Sequence, residues 1–523
     1  MAAEARRHLL RISTNYARLG AALVIGIILT RLQVVWLGSE GFGLIALLVS
    51  TTGLGTMFSD LSRQSLVREL AAWRLTDEDR FLRAYNSSYV LSLAAAGITL
   101  ALFGIIVVVV PLLRIDAGLV TAARVFLLSR GIAQAAVILL RPVMTMYIVR
   151  ERFVAFNLFS IMQRSNPLLA VLALMYFFRV KDPARAVLWF GVAPAILNLA
   201  LVLVFTGAAV LGDRRLVPRP SLIGRDALRE IGATFGWNSG VILAINMHER
   251  VAAIIMNVAF GLWANTVFGL ALRLTSYVRM ATVGMTFGVD AATARLSTTG
   301  AHERVLRLLH HSTRLHTLMA APAAIAVWAL APALLRLWVG AHLEDAATIL
   351  PRATVLVRIM LLGLAARAVS DGWLRILYGA GHVRTYAPVV LLGGLANPVL
   401  VLALFLILPE SFEYSAVGWA YSAIFLVIHC GVAPVLGARK LGVPVRDFWT
   451  PVLRPLGAAL AAAPVIWLVG SGSADHAPSL AHVAVAGALY SVVYGFLVAM
   501  FVVTPDERRR ITRGVLRRFK AIA

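Results

Sequence analysis

Apolar residues come in runs of about twenty, separated by short polar stretches, from residue 18 to residue 503. A run of that length crosses the ~30 Å hydrocarbon core of a bilayer as a helix. Helix is the expected form because backbone N–H and C=O groups have no water partner there. The pattern predicts fourteen spans, at 18–36, 44–60, 84–112, 120–147, 153–178, 186–211, 231–257, 266–288, 312–335, 348–370, 386–408, 416–437, 455–470 and 481–503. The connections alternate in character. One set (1–17, 61–83, 148–152, 212–230, 289–311, 371–385, 438–454 and 504–523) holds 31 of the 49 Lys and Arg, and the other holds 5. Basic connections stay in the cytoplasm, so both termini are expected there, as an even span count requires.

Phrases recur along the chain at a near-constant offset. "GFGLIALLVS" at 41–50 is echoed by "VFGLALRLTS" at 267–276, an offset of 226. Arg124 and Arg130 are echoed by Arg352 and Arg358 at 228, and Asn166-Pro167 by Asn397-Pro398 at 231. Tyr147 and Tyr378 precede the two Asn-Pro pairs at the same interval. Spans 1–6 and 7–12 therefore read as two copies of one six-helix unit. Six is even, so both copies enter from the same face and form a parallel repeat about an axis along the membrane normal. The predicted organisation is an all-α polytopic membrane protein. It has an N-lobe over 1–211, a cytoplasmic linker over 212–230, a C-lobe over 231–437, and two further helices with a basic tail over 438–523. Pro167, Pro194, Pro322, Pro388 and Pro398 fall inside spans and would permit local kinks.

Composition sharpens this picture. The 523 residues are 60% hydrophobic and only 14% charged, far from the balance of a soluble chain. The single cysteine, Cys430, excludes an internal disulfide and a Cys-rich metal site. No metal-ligand spacing and no Gly-rich phosphate loop with Lys is present, so no cofactor is expected. The net charge of +24 comes almost wholly from arginine; the only lysines are Lys181, Lys440 and Lys520. Scattered over many short loops, this charge does not suit nucleic acid.

Removing the connections leaves thirteen basic residues inside spans, all arginine, against two acids, Asp60 and Glu249. An arginine at a helix centre costs roughly 2.5–3.5 kcal/mol on insertion scales, which excludes a dozen facing lipid. Arg18 and Arg314 lie near span ends and can snorkel, while Arg124 and Arg352 fall in the outer third; Arg367 completes the set with the deeper ones. Those deeper residues, Arg31, Arg130, Arg141, Arg164, Arg250, Arg273, Arg279 and Arg358, are expected to line a water-filled cavity. Snorkelling, or pairing with backbone carbonyls, is the alternative reading. Arg130 and Arg141 are eleven residues apart, close to three turns, and would share a helix face. Guanidinium forks pair well with phosphate and carboxylate oxygens, so the cargo is expected to be anionic. Glu249, in "NMHERVAA", is a candidate coupling-ion site or the partner of a cavity arginine. Asp60 is the other candidate coupling acid, although its place near a cytoplasmic end, like that of Asp290, suits capping or gating. His310 and His311 fall in a cytoplasmic connection and carry no chemistry in this reading.

"TRLQVVWLGSEGFGLIALL" at 30–48 and "ILYGAGHVRTYAPVVLLGGLANPVLVLALFL" with "YSAVGWAYSAIFLV" over 376–427 resemble polysaccharide flippases of the O-antigen (Wzx) type. These belong to the multidrug/oligosaccharidyl-lipid/polysaccharide exporter superfamily. The resemblance covers nearly the whole chain through diffuse motifs. It implies a two-lobed twelve-helix core with a V-shaped cavity, often with two more helices. It also implies a bacterial inner-membrane protein that moves undecaprenyl-diphosphate-linked glycan to the periplasmic leaflet. A glycan polymerase and co-polymerase would be partners, beside membrane lipids. Related lipid II flippases share fourteen spans and an arginine-lined cavity, and are the alternative. Cationic-drug exporters need cavity acids, and thirteen in-span arginines against two acids argue against them. A membrane-embedded glycan polymerase or ligase is the rival from another class. Such enzymes need a sizeable outer loop, and here none exceeds about a dozen residues.

Overall fold

The computed structural model describes residues 2–55, 77–283, 302–471 and 479–505, together with Leu70, Val289, Thr293, Leu296, Ser297 and residues 507–509. Asp60, Asp290 and most of the basic tail lie outside the described residues. Among those described, the chain is helical and has no strand. The helices are α1 (Ala2–Gly55), α2 (Glu78–Val109), α3 (Ala117–Leu139), α4 (Arg141–Val149), α5 (Phe153–Leu172), α6 (Pro183–Gly212), α7 (Arg225–Asn246), α8 (Ala252–Phe260) and α9 (Leu262–Val283). They continue with α10 (His302–Val339), α11 (Ala346–Gly379), α12 (Val383–Phe405), α13 (Ala416–Phe425), α14 (Ala433–Leu441), α15 (Arg446–Ser471) and α16 (Leu480–Phe501). Three short π-helical segments interrupt the α-helical ladder, at Ala173–Phe177, Met247–Val251 and Leu426–Val432.

Among the described residues, eleven helical stretches are long and apolar enough to cross a membrane. The first, Ala17–Leu54, takes in the first predicted span and residues 44–54 of the second, whose end at 56–60 lies outside the described residues. They part at Gly38, whose φ of 69° and ψ of −170° only glycine adopts without strain. The predicted spans 231–257 and 266–288 fall on α7–α8 and α9, which are not among the eleven; these helices carry Glu249 and Arg250, and Arg273 and Arg279. Prolines 167, 194, 322, 388 and 398 all sit inside helices, as expected. Two predicted connections are shorter than expected. α11 runs through the expected break at residue 371 to Gly379, and α10 begins at His302, so His310 and His311 lie on a helix. Hydropathy falls at these ends while the backbone ladder continues.

The chain packs as two compact units. The first comprises 1–272, 342–349 and 383–421, and the second 273–341, 350–382 and 422–523. In the first unit, Leu44, Ile45, Leu48, Phe103, Phe126 and Phe190 form one buried core on α1, α2, α3 and α6. Gly43 lets α1 approach α9 closely, since a Cβ there would sit 2.6 Å from Thr266 Oγ1. Thr266 Oγ1 also donates to Ser39 O at 2.6 Å. Gly269, the repeat partner of Gly43, lies against Phe42 and Ala46. The two copies of Phe-Gly thus pack on each other.

The 212–230 linker is folded. Two 3-10 turns, Arg214–Leu216 and Pro220–Leu222, precede α7, which starts at Arg225. α2 clasps this segment through three consecutive side chains. Tyr85 donates to Leu216 O at 2.8 Å, Asn86 Oδ1 accepts from Arg219 N at 2.6 Å, and Ser87 Oγ accepts from Gly224 N at 3.0 Å. Arg150 is ion-paired with Asp213 at its start. Burial pushes the Asp213 carboxyl up, but the Arg150 hydrogen bond and the Arg215 amide carry it below the usual carboxylate range. In the second unit α10, α15 and α16 pack together around Leu330, Ala462, Ile466, Ala486 and Tyr490.

Candidate functional site

The charged side chains within the helices fall into three kinds of surroundings. Arg130 and Arg358, which the repeat makes equivalent, are held alike. Arg130 stands over the Phe126 ring at 5.5 Å and donates to Phe190 O at 3.3 Å. Arg358 stands over the Trp328 ring at 4.8 Å and donates to Trp328 O at 3.2 Å. Each guanidinium is matched by an aromatic face and a carbonyl, the second of the two readings open from sequence. Arg124 likewise donates to Val107 O at 3.3 Å. The chain pauses at Leu140 between α3 and α4, ahead of Pro142, so Arg130 and Arg141 do not continue one uninterrupted stripe. Arg141 instead lines a cavity of about 90 Å³ with Thr145, Phe159, Ser160 and Gln163.

Arg31 and Arg164 are exposed on α1 and α5. Arg31 Nη2 lies 3.4 Å from His342 Nε2. Glu249 and Arg250 sit in the π-helical turn Met247–Val251. A π-turn inserts one extra residue and commonly marks a functional position. Beside them His248 is buried edge-on against Tyr421, at 6.0 Å between ring centroids. The Arg250 side chain lies directly over Gly53 of α1, where any Cβ would collide with the guanidinium. Arg273 is half-buried on α9.

Of the third group the sequence marked Arg279 and Arg367 but not Asp371, His316, Ser370 or His429. In the second unit Asp371 on α11 faces Arg279 of α9, with Nε to Oδ2 at 3.8 Å. Arg367, one turn earlier on α11, is 3% exposed and stands over Phe425 at 5.2 Å. Arg279, Arg367, His316 and His429 all lie near enough to act electrostatically on the Asp371 carboxylate. His316 Nδ1 is 2.7 Å from Ser312 O, a carbonyl that only accepts, so this nitrogen carries the proton. Ser370 Oγ donates to Arg367 O at 3.0 Å and lies 2.5 Å from His429 Nδ1. Its one proton is committed to the carbonyl, so His429 donates to it from Nδ1. His429 stacks on Phe425 at 4.9 Å within the π-turn Leu426–Val432. Gly372 admits α10 here, because a Cβ would come within 3.2 Å of His316 Nδ1 and Ser312 Oγ. The signal that could have found Asp371 is its spacing of four from Arg367, which puts both on one helix face. The fall in hydropathy at "SDG" ended the predicted span one residue too early.

Residues 250–402 match the MatE family model, from the second π-turn to the end of α12. Solved structures share the fold over most of the chain. The lipid II flippase MurJ, in an inward-closed conformation, aligns with a TM-score of 0.67 and 12% identity over 94% of this chain and 98% of that one. An inward-facing multidrug resistance MATE family transporter of the MOP superfamily aligns with a TM-score of 0.66 and 13% identity, over 82% of this chain and 98% of that one. A MOP superfamily transporter from Pyrococcus furiosus, described with a binding pocket of reverse polarity, gives 0.57 and 15% over 83% and 95%. A comparison with curated proteins finds no match. The chain is a multi-pass membrane protein with the MATE/MurJ-like fold, and the proteins that share that fold are transporters and flippases, not enzymes.

Proposed function

We propose that this protein is a flippase for undecaprenyl-diphosphate-linked oligosaccharide, serving O-antigen or exopolysaccharide assembly at the bacterial inner membrane. The observation that carries the reading is the surplus of guanidinium over carboxylate within the helices. At Asp371 two arginines meet one acid, and Arg250 sits at a helix irregularity. A diphosphate loses its hydration on entering a bilayer, and prepositioned guanidiniums replace water at its oxygens. Fourteen spans in two duplicated lobes, both termini cytoplasmic, supply the frame, and the mutual packing of the repeated Phe-Gly pairs supports it. In the second unit Arg273 and Arg279 are the residues offered to the cargo head group, and in the first unit Arg31, Arg141, Arg164 and Arg250. The polyprenyl tail stays in lipid while the lobes alternate access. Arg130 and Arg358 anchor helices to each other. Glu249 or Asp371 takes the coupling ion. A glycan polymerase and co-polymerase receive the product.

The second reading is translocation of lipid II. MurJ aligns over 94% of this chain, against 82% for the MATE transporter above. The two cargoes share the polyprenyl diphosphate and differ in the glycan. Reconstitution into proteoliposomes with each lipid, scored by a membrane-impermeant probe of the sugar, separates them. We expect transfer of the oligosaccharide lipid, slowed about ten- to a hundredfold in R250A and R279A as charge-assisted bonds of ~1.5–3 kcal/mol are lost. Transfer of lipid II alone selects the second reading. Transfer of neither, or wild-type rates in both variants, overturns both.

A further inference from the structure

A cavity in the second unit has no place in this transport reading. It has a volume of about 740 Å³ and opens where α10 and α15 begin and α16 ends. Six of its lining side chains are Arg304, Arg307, His310, His311, Arg314 and Arg454, and no acid lines it among the described residues. Residues 304, 307, 311 and 314 are spaced three, four and three apart, which sets them in one stripe along α10. Like charges at that spacing destabilise a helix, so the stripe calls for an anion. Glu507 meets only its inner end, at Arg314. Arg314 Nε and His310 Nε2 are buried and have no hydrogen-bond partner among the described residues.

Apart from Thr450, the rest of the described lining is apolar, including Leu308, Pro451, Pro455 and Val502. On the same helices, Leu315, Met319, Leu453 and Leu460 are exposed, at 37%, 41%, 62% and 56%. A basic mouth above an apolar outer surface matches a lipid's division into phosphate head and acyl chain. Basic pockets between membrane helices hold such heads.

We infer that this cavity is a binding site for the phosphate of an anionic phospholipid, separate from the cargo path. A diphosphatidyl lipid, with two phosphates, suits the length of the stripe better than a single head group does. The site stands whichever glycan lipid the protein moves.

The test uses the full purified chain and native mass spectrometry of retained lipid. The probes are cardiolipin, phosphatidylglycerol, phosphatidylcholine and, separately, inorganic pyrophosphate. Wild-type protein should retain cardiolipin and phosphatidylglycerol over phosphatidylcholine. The exposed-site variants R304Q and R454Q should each lower that retention about fivefold, the loss of one basic group near an anionic surface. R454K should keep it, and R336Q, elsewhere on α10, should leave it unchanged. If pyrophosphate binds with the same sensitivity and lipid does not, the phosphate chemistry holds and its source is a soluble anion. Equal retention of anionic and zwitterionic lipid without pyrophosphate binding, or retention that R304Q and R454Q do not alter, overturns the site.

Discussion

Each buried arginine is decided by what its guanidinium touches. Arg130 and Arg358 have a ring and a carbonyl, so their loss should be felt in folding. R130M and R358M should each lower stability by about 1.5–3 kcal/mol, the worth of a hydrogen bond to a charged group, while the surviving protein transports normally. Thermal unfolding in detergent and a transport assay on the same samples check both halves. Asp371 is different, because its removal strands two guanidiniums. D371N should destabilise by about 1–3 kcal/mol, the cost of leaving half-buried charged partners unsatisfied. The double variant D371N/R279Q should recover part of that loss. Sequence made the recurrence of Arg130 and Arg358 visible, since offsets survive divergence. It could not show that carbonyls on α6 and α10 answer them, because backbone acceptors have no letter in the sequence. Asp371 escaped for another reason: its partners Arg279, His316 and His429 come from three other segments of chain.

Among the elements, the apolar runs marked nearly every helix, because length and hydropathy are what a bilayer selects. Their ends were less legible. A helix continues past the membrane wherever its backbone ladder is undisturbed, and α10 and α11 do so with polar side chains. The Gly38 turn was written in "LGSEGFG". G38A should cost about 1–3 kcal/mol, as for any residue forced into a glycine-only conformation, measurable as a lower unfolding temperature. The end of α16 offers a pH test. The Arg314 hydrogen bond and the Thr504 amide hold the Glu507 carboxyl down at about 2. A depressed carboxyl stabilises above its unfolded value, near 4.3, and that contribution is lost as pH falls through about 2. Protection from hydrogen exchange at residues 507–509, taken relative to the intrinsic rate at each pH, should therefore hold at pH 5 and fall toward pH 2. E507Q should show little protection at either.

For the molecule as a whole, the distribution of arginine fixes the expected orientation. In a C430S background, a cysteine at Arg215 should label only from the cytoplasmic side and one at Glu413 only from the opposite side. Labelling of both from one face would remove the orientation on which the direction of transport rests. Fold class could be read from hydropathy alone, while the anionic cargo remains the proposal that the arginine surplus supports. The choice between lipid-linked glycans could not, since the sugar is recognised by a constellation that no linear spacing encodes.

The π-turn at Met247–Val251 carries one residue more than the ladder around it needs. If that surplus were handed along to the next turn, everything between would revolve by about 100°, the angle of one helical step. Glu249 and Arg250 would then trade the face they present without a single turn of helix melting. A surplus residue of this kind is a dislocation, and dislocations glide at little cost where a perfect lattice must break.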